Sequence, residues 1–416
     1  MQGPSMDEPG DQSRDHLPGA CRRRRGLTAQ LLACFDQWGY SPVAPPALEP
    51  FEMLARGLSE DDRRRCVRFV APPEGRLLAL RADVTPQLAR MIAQRVGGAL
   101  PSDGVTRVSY AADVVSHPSG PTERAEVHQV GLELMGDGHV AADIELVTLC
   151  DEALRRVGLR DHRVDLAHTG VASAMLDALE LDDAERAAVR TMLGHKDRDG
   201  LIARLGDGAA AERVASLCDR FGPPSIIDSA MESLPGAADA LRRLGAVTAA
   251  APDVPLTVDL GEVRGDDYYS GLRLRAWAPG VARPVIRGGR YDNLLSQYGV
   301  PMPAVGFAID IEALEAALRH AGLDPAPTRS VLKRMVAALP SPDEDATRGR
   351  AAAAAAQARV EGMVAWVQPA SDPHRAIELA VRAGVDSLAL IDGGALRVLT
   401  RQSEQWVETP SDQEGK

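Results

Sequence analysis

Residues 259–271 have the sequence DLGEVRGDDYYSG, in which an arginine, several carboxylates and two tyrosines follow an apolar run. Alternate side chains of a strand point to opposite faces, so Arg264 and Tyr268 would share one face and Tyr269 would lie on the other. Opposite charges beside phenol groups can bind a small zwitterion. Taken alone, the segment is equally well explained as an edge strand with solvated charges and half-buried tyrosines.

The composition limits the class of protein. The chain has 416 residues, 45% of them hydrophobic, which is typical of a globular protein with two or three domains. Its formal net charge of -12 disfavours nucleic acid as the main partner, because phosphate binding depends on concentrated Lys and Arg. The sequence contains no run of about 18 apolar residues, so no membrane-spanning helix is predicted. Five widely spaced cysteines without a CxxC or Cys/His cluster predict no metal site and favour a reduced, cytoplasmic location.

The distribution of helix, strand and break signals predicts the domain organisation. The polar residues 1–20 are expected to form a disordered tail. Residues 21–324 mix strand and helix patterns in an α+β core, and the nearly continuous helical pattern over about 172–250 predicts a helical insertion. Prolines and an acidic loop indicate a linker over 325–345. The alternation of helix and strand over 346–416 predicts a small α/β unit.

Five further segments stand in a characteristic order around the first stretch. They are WGYSPVAPPALE (38–49), LRADVTPQLARM (80–91), HQVGLELMG (128–136), RGGRYDNL (287–294) and GFAIDIE (306–312). Each alone is weak, but the ordered set, which covers roughly residues 15 to 320, resembles the catalytic core of histidyl-tRNA synthetase. The resemblance implies a class II aminoacyl-tRNA synthetase-like antiparallel sheet flanked by helices, with the prolines of the first segment at a dimer interface.

The resemblance also implies a histidine pocket. Its histidine-binding residues would be Asp83, Thr85, Gln129, Glu133, Arg264, Tyr268 and Tyr269. The first three would meet the amino group, the glutamate and the tyrosines would recognise the imidazole, and the arginine would oppose the carboxylate. These residue types suit such roles, because an ammonium needs acceptors and a carboxylate fits an arginine fork. The alternative for the same residues is helix capping at positions 83 and 85 and strand-face pairing at 129 and 133.

Two departures concern the half of the site that would hold ATP. Adenylate formation requires fixed cations on the phosphoryl oxygens. The synthetases have a phosphate-binding arginine after the second strand, and this chain has Ser116 at or near that position. A shifted alignment would place Arg124 there instead, but that residue belongs to the following loop. The synthetases' final motif has the form GFAxGxER, whereas here Asp310 replaces the glycine and Ala313 replaces the arginine. A carboxylate at that position repels a triphosphate, so no catalytic residue and no cofactor are predicted.

A second family accounts for these departures. The segment LRADVTPQLARM, residues 168–201 and the opening stretch resemble the regulatory subunit of ATP phosphoribosyltransferase, a paralogue of histidyl-tRNA synthetase. That resemblance implies a non-catalytic subunit needed for the first step of histidine biosynthesis and for feedback by histidine. Its partners would be a short catalytic subunit and a second copy of itself in a hetero-oligomer, with no nucleic acid and no membrane involved.

The C-terminal residues bear on the alternatives. Residues 331–416 resemble a degenerate anticodon-binding domain, but they carry 10 Lys and Arg against 12 Asp and Glu. This balance suits tRNA poorly. A divergent histidyl-tRNA synthetase remains the main alternative, and a stand-alone histidine-binding regulator of another target is a third.

Overall fold

A computed structural model describes residues 15–95, 104–118, 124–206, 208–263, 268–323, 332–402 and 405–409. The chain divides into two compact units, Met1–Ala326 and Pro327–Lys416. Residues 264–267 lie outside the described residues, so the histidine-binding role predicted for Arg264 stays a prediction. No described helix is long and apolar enough to cross a membrane.

The first unit is built on two sheets. Its described strands are β1 (Ser41–Pro42), β2 (Leu48–Pro50), β3 (Arg68–Ala71), β4 (Arg76–Leu80), β5 (Thr106–Val115), β6 (Glu126–Met135), β7 (Arg163–His168), β8 (Phe221–Gly222), β9 (Leu256–Asp259), β10 (Leu272–Trp277), β11 (Ile286–Arg290) and β12 (Ala304–Asp310). The large sheet has nine strands in the order β1-β5-β6-β12-β11-β10-β7-β9-β8, and the small one has the order β2-β4-β3. Pairing in the large sheet is antiparallel except for β1 with β5 and β7 with β9. The predicted antiparallel sheet of an α+β fold is therefore confirmed.

Helices cover the sheet and fill the connections. The described helices of the first unit are α1 (Pro18–Gln37), α2 (Phe51–Ala55), α3 (Glu60–Arg65), α4 (Thr85–Ala93), α5 (Val140–Arg156), α6 (Thr169–Asp177), α7 (Asp183–Gly194), α8 (Arg198–Leu205), α9 (Ala209–Ser216), α10 (Ile226–Ser233), α11 (Ala238–Ala250) and α12 (Ile311–His320). Two short 3-10 helices span Pro235–Ala237 and Leu295–Tyr298. Helix α1 begins inside the predicted tail of residues 1–20, because Pro18 in its first turn is already set to a helical φ. Residues 1–14 lie outside the described part.

Side-chain alternation decides which face of the large sheet is core and which is free. Along β6, Val130 and Leu132 are buried in the main apolar cluster together with residues of α1, α5 and α12. Gln129, Gly131 and Glu133 therefore point to the opposite face. That face, where β6, β12 and β11 lie side by side, carries the cleft described below.

The predicted helical insertion is a crossover connection within the large sheet. Helices α6 to α11 lie between β7 and β9 in sequence, and these two strands pair in parallel. Parallel neighbours need such a crossover because a tight turn can only reverse the chain. The segment also contributes the short strand β8, whose Phe221 pairs with Asp259. The helical segment is thus joined to the sheet at both ends and along one edge.

The second unit is a five-stranded sheet between two helices. Its elements are β13 (Lys333–Ala338), α13 (Glu344–Val360), β14 (Val364–Pro369), α14 (Pro373–Ala383), β15 (Ser387–Asp392), β16 (Ala395–Gln402) and β17 (Gln405–Thr409). The strand order is β14-β13-β15-β16-β17. Helices α13 and α14 pack on opposite faces of β13 and β15. The structure differs from the predicted linker over 325–345, since residues 333–338 form the largely buried strand β13, which lies between β14 and β15; the short apolar run between charged residues and prolines did not predict it.

Candidate functional site

Three neighbouring strands carry glycines where they form the floor of the cleft. Gly306 on β12 pairs with Glu133 on β6 and with Gly289 on β11. A Cβ atom at Gly306 would overlap Glu133 Oε2 and would lie 2.5 Å from the carbonyl oxygen of Leu132. Glycine is therefore the residue that leaves room for the glutamate side chain at this point. These glycines belong to the segments RGGRYDNL and GFAIDIE, for which the sequence predicted no role in shaping the cleft floor.

Glu133 points to the cleft face of the sheet, beside Gly306, and is 1% exposed. Its carboxyl group accepts a hydrogen bond from Thr85 Oγ1 at 2.7 Å and a short one from the Tyr291 hydroxyl. Burial raises the pKa of Glu133 to about 8, with a smaller contribution from the charge of Asp83, while the two hydrogen bonds oppose the rise. Burial therefore favours the protonated form of this side chain over the charged form.

The cleft has a volume of about 190 Å³. Five of the seven predicted histidine-binding residues line it: Asp83, Thr85, Gln129, Tyr268 and Tyr269. The sixth, Glu133, touches the cleft only through Thr85 and Tyr291, and the seventh lies outside the described residues. These residues come from α4, β6 and the segment before β10, so distant parts of the sequence meet at one site.

One end of the cleft is rich in hydrogen-bond acceptors. Asp83 Oδ1 accepts a hydrogen bond from the backbone N–H of Thr85 at 3.2 Å, and its Oδ2 accepts one from the Tyr268 hydroxyl at 3.2 Å. The N-cap residue of α4 is Val84, which makes no side-chain cap; Asp83 instead bonds to the N–H of the first helical residue and also lines the cleft. Gln129 Oε1 is buried and has no hydrogen-bond partner among the described residues. A buried acceptor without a donor costs free energy until a ligand supplies one, and an ammonium group would do so.

Aromatic rings form the wall beside this end. Tyr268 and Tyr269 have ring centroids 4.8 Å apart, and Tyr268 meets Tyr291 edge to face at 5.9 Å. The guanidinium carbon of Arg273 lies 5.3 Å from the ring centre of Tyr269. Such a wall suits a flat, polar heterocycle, because the ring faces are apolar and the hydroxyl groups can bond to its edge. Tyr291 was not predicted as a site residue, although it follows the glycine pair of β11.

The cleft lining also carries positive charges, which the sequence did not predict. Its lining includes four arginines: Arg65, Arg124, Arg283 and Arg287. Ser116 also lines the cleft, as the comparison of motifs suggested, and it adds no charge. Positions 116 and 313 therefore lack arginine, but the cleft as a whole does not lack cations. The four arginines come from α3 and from the beginnings of β6 and β11, so no single sequence motif predicts them.

Asp310 neutralises one of these cations. Its carboxylate forms a two-bond ion pair with Arg283, with Nε to Oδ2 at 2.8 Å and Nη2 to Oδ1 at 3.1 Å. The same carboxylate accepts a hydrogen bond from the backbone N–H of Ala313 at 2.7 Å and so caps the N-terminus of α12. Asp310 thus removes a positive charge from the cleft and adds a carboxylate to its wall.

A buried ion cluster ties this region to the helical segment. Arg290, at the end of β11, donates to Asp143 Oδ1 at 2.8 Å, and Arg243 of α11 donates to the other oxygen at 2.5 Å. Asp143 is fully buried, and Arg290 is 2% exposed. A buried carboxylate between two guanidinium groups is a rigid joint, since each charge is satisfied only in this geometry.

The described residues offer no evident metal centre. No group of three or more His, Cys, Asp or Glu side chains in this part of the chain is arranged to hold a metal ion. All five cysteines are free thiols, four of them buried.

Comparison with known proteins shows which family the chain matches. The family model described as "Histidyl-tRNA synthetase" matches residues 12–314. A protein of Anaeromyxobacter dehalogenans is 37% identical over 74% of this chain and 90% of its own length, and one of Geobacter sulfurreducens is 33% identical over 76% and 75%. Both are named ATP phosphoribosyltransferase regulatory subunit.

A solved structure supports the fold. It comes from Bacillus halodurans, is described as an ATP phosphoribosyltransferase regulatory subunit/histidyl-tRNA synthetase, and superposes with a TM-score of 0.78. The match covers 94% of this chain and 100% of that one at 24% sequence identity, which identifies a shared fold and no more. The predicted class II synthetase-like fold is confirmed. Together, the family model and the relatives assign this chain to the ATP phosphoribosyltransferase regulatory subunits, a family that shares the fold of histidyl-tRNA synthetase.

Proposed function

We propose that this chain is a non-catalytic regulatory subunit of ATP phosphoribosyltransferase and that its cleft binds free histidine as a feedback effector. The observation that carries the histidine site is the combination of a buried Gln129 oxygen, which has no hydrogen-bond partner among the described residues, with an aromatic wall beside the buried Glu133. An amino acid with a polar heterocycle satisfies both ends of this arrangement. Feedback then follows if histidine favours one quaternary state over another.

The proposal assigns one part of histidine to each part of the cleft. The ammonium group lies between Asp83 and Gln129 Oε1, which supply a charge and a free acceptor. The imidazole lies against Tyr268 and Tyr269, near the hydroxyl groups that connect to Glu133. The carboxylate is assigned to Arg264 by the family resemblance, because an arginine fork matches its two oxygens.

A non-catalytic role agrees with the charges of the cleft lining. Stabilising a transferred phosphoryl group needs cations that are free to face it. The Arg283 guanidinium is held by Asp310, and the carboxylate itself opposes a triphosphate. One specific observation favours the alternative of a divergent histidyl-tRNA synthetase, namely that Arg65, Arg124 and Arg287 also line the cleft. Histidine-dependent exchange of pyrophosphate into ATP separates the two, since robust exchange requires the synthetase reaction.

The proposed partners are the short catalytic subunit of the phosphoribosyltransferase and a second copy of this chain within a hetero-oligomer. No nucleic acid partner is proposed, in line with the net charge of -12. The reduced cytoplasm is the proposed compartment, where free thiols such as the five found here persist.

The central experiment is a steady-state assay of the short catalytic subunit with and without this chain, across a histidine titration. Activation by the chain, followed by inhibition as histidine rises, is the expected result. Arg264→Ala should weaken inhibition by histidine about tenfold or more, the effect of losing a charged hydrogen bond, and should leave activation intact. Arg204→Ala, which removes an exposed arginine of α8, is the matched control and should change neither.

Isothermal titration of the complex measures the binding step directly. Unchanged histidine affinity in Arg264→Ala would remove that residue from the site. Absence of any activation of the catalytic subunit by the wild-type chain would overturn the regulatory function itself.

A further inference from the structure

The two tyrosines of the cleft lead directly into a serine that is hydrogen-bonded to the neighbouring strand. Ser270 follows Tyr269 in the chain, and residues 268–323 are described without a gap. The backbone N–H of the serine donates to the carbonyl oxygen of Arg290 at 2.8 Å, and its Oγ accepts a hydrogen bond from the backbone N–H of Asp292 at 2.8 Å. Main chain and side chain of one residue are therefore both bonded to the end of β11 and the turn after it.

Glycines on both sides let the tyrosine segment lie close against β11. A Cβ atom at Gly289 would lie 2.9 Å from Cδ1 of Tyr269, and a Cβ atom at Gly271 would lie 3.0 Å from Cδ of Arg290. Both distances are shorter than ordinary contacts of a Cβ atom, so a larger residue at either position would push the segment away from the strand. The ring of Tyr269 therefore packs on the backbone of β11, and Gly271 packs on the stem of the arginine.

The arginine to which the segment is bonded is itself held firmly. Arg290 is 2% exposed, and each of its three guanidinium nitrogens donates a hydrogen bond. Its Nε donates to Asp143 at 2.8 Å, and its Nη1 donates to Oδ1 of Asp292 at 3.0 Å. Carbonyl oxygens of the turn before α5 accept the other bonds, from Nη1 to Asp137 at 3.1 Å and from Nη2 to His139 at 3.3 Å. A buried guanidinium with this set of partners has one favourable position.

Asp292 connects this arginine to the serine. Its Oδ1 accepts hydrogen bonds from Arg290 and, at 3.1 Å, from the backbone N–H of Ala304 on β12. These two bonds orient the residue whose own N–H donates to Ser270. Arginine, aspartate and serine thus form a continuous series of hydrogen bonds that ends at the residue next to Tyr269.

We propose that Ser270 is a positioning residue of the histidine site: its two bonds to the end of β11 hold the preceding tyrosines in the wall of the cleft. The inference rests on the proposed binding of histidine to the cleft. Among the described residues that line the cleft are Tyr268 and Tyr269, whereas Ser270, Asp292 and Arg290 do not line it. The serine and its partners therefore act on the ligand through the tyrosines.

The test compares variants of the full chain in complex with the catalytic subunit, by isothermal titration with histidine at a temperature well below the unfolding of each variant. Ser270→Ala removes the bond from the Asp292 N–H and should weaken histidine binding about fivefold. Ser270→Thr keeps the hydroxyl group and should restore most of the affinity. Ser296→Ala is the matched control: it makes the same chemical change at an exposed serine of the following 3-10 helix and should leave histidine binding unchanged.

A double-mutant cycle tests whether the serine acts through its partner. Asp292→Ala removes the carboxylate that orients the donating N–H, and it should also weaken histidine binding. If both residues act through the same hydrogen bond, the variant that combines Ser270→Ala with Asp292→Ala should bind histidine no worse than the weaker single variant. Independent effects, which multiply in the double variant, would contradict the proposal.

The outcomes distinguish this inference from the function on which it rests. A wild-type complex that binds no histidine overturns the proposed histidine site and the inference with it. A wild-type complex that binds histidine, beside a Ser270→Ala complex with the same affinity, overturns the inference alone. Equal weakening in Ser270→Ala and Ser270→Thr would also contradict it, because only the threonine variant keeps the hydroxyl group.

Discussion

Glu133 makes the stability of the first unit depend on pH in a defined direction. Its pKa is about 8 in the folded protein and 4.5 in its ordinary state, because burial disfavours the charged form. Below pH 4.5 the carboxyl group is protonated in both folded and unfolded chains. Between 4.5 and about 8 the unfolded chain loses the proton while the folded chain keeps it, so the free energy of unfolding falls as the pH rises. Above that interval the contribution is gone.

The size of the effect follows from the interval. Each pH unit between the two pKa values lowers the free energy of unfolding by about 1.4 kcal/mol. Over the whole interval the loss is at most about 5 kcal/mol. With an unfolding entropy of about 2.1 cal/mol/K per residue, a unit of roughly 300 residues shifts by about 1.5 °C per kcal/mol. The unfolding temperature of the first unit should therefore fall by up to about 7 °C from this one group as the pH rises from 5 to 9.

Differential scanning calorimetry of the wild type and Glu133→Gln measures the effect, because the neutral amide does not titrate. The difference in unfolding temperature between the two proteins should change steadily in favour of the glutamine variant as the pH rises. Glu126→Gln, at the exposed start of the same strand, should show no such trend. A difference between wild type and Glu133→Gln that stays constant from pH 5 to 9 would show that the carboxyl group is not held protonated by burial.

Three further substitutions test the architecture, each by thermal unfolding. Gly306→Ala should destabilise the first unit by about 3 kcal/mol, because the added methyl group overlaps Glu133 and a strand carbonyl, whereas Gly349→Ala, in an open position of α13, should be neutral or stabilising by up to about 1 kcal/mol. Asp143→Asn leaves the buried Arg290 and the partly exposed Arg243 short of a counter-charge and should cost about 3 kcal/mol; an effect below about 1 kcal/mol would contradict the joint. Asp310→Ala removes both an ion pair and a helix cap and should cost about 2 kcal/mol, while Asp310→Asn, which still caps α12, should cost less; equal losses would show that the cap contributes nothing.

Local patterns in the sequence were enough to predict much of the fold. The alternation along β6 put Gln129 and Glu133 on one face, and the structure brings both to the cleft region beside Thr85. Helix α4 begins at Thr85, as its capping pattern predicted. The turn residues PPEG (72–75) lie between β3 and β4, which pair as a hairpin. These features depend on side-chain period and on turn residues, which are properties of short segments.

The sequence did not predict which charged residues pair when they lie far apart along the chain. The choice of Arg283 as the partner of Asp310 depends on how β11 and α12 meet, and nothing in either segment names the other. The same holds for Arg290 with Asp143, which are 147 positions apart. The positive charges of the cleft lining were missed for this reason: its arginines belong to separate elements, and only their convergence in space brings them to one site.

The parallel pairing of β7 with β9 sets the order in which the molecule can assemble. Val164 on β7 pairs with Leu256 on β9, about ninety residues later in the chain. Closing a flexible loop of that length costs about 4 kcal/mol of chain entropy beyond a constant, but a compact crossover lowers the cost by bringing its own ends together. The helical segment should therefore form before this edge of the sheet closes, and the segment after β9 should be among the last parts to settle. A nascent chain would then form its cleft only after the crossover is complete, so a partly folded chain would lack the proposed binding site.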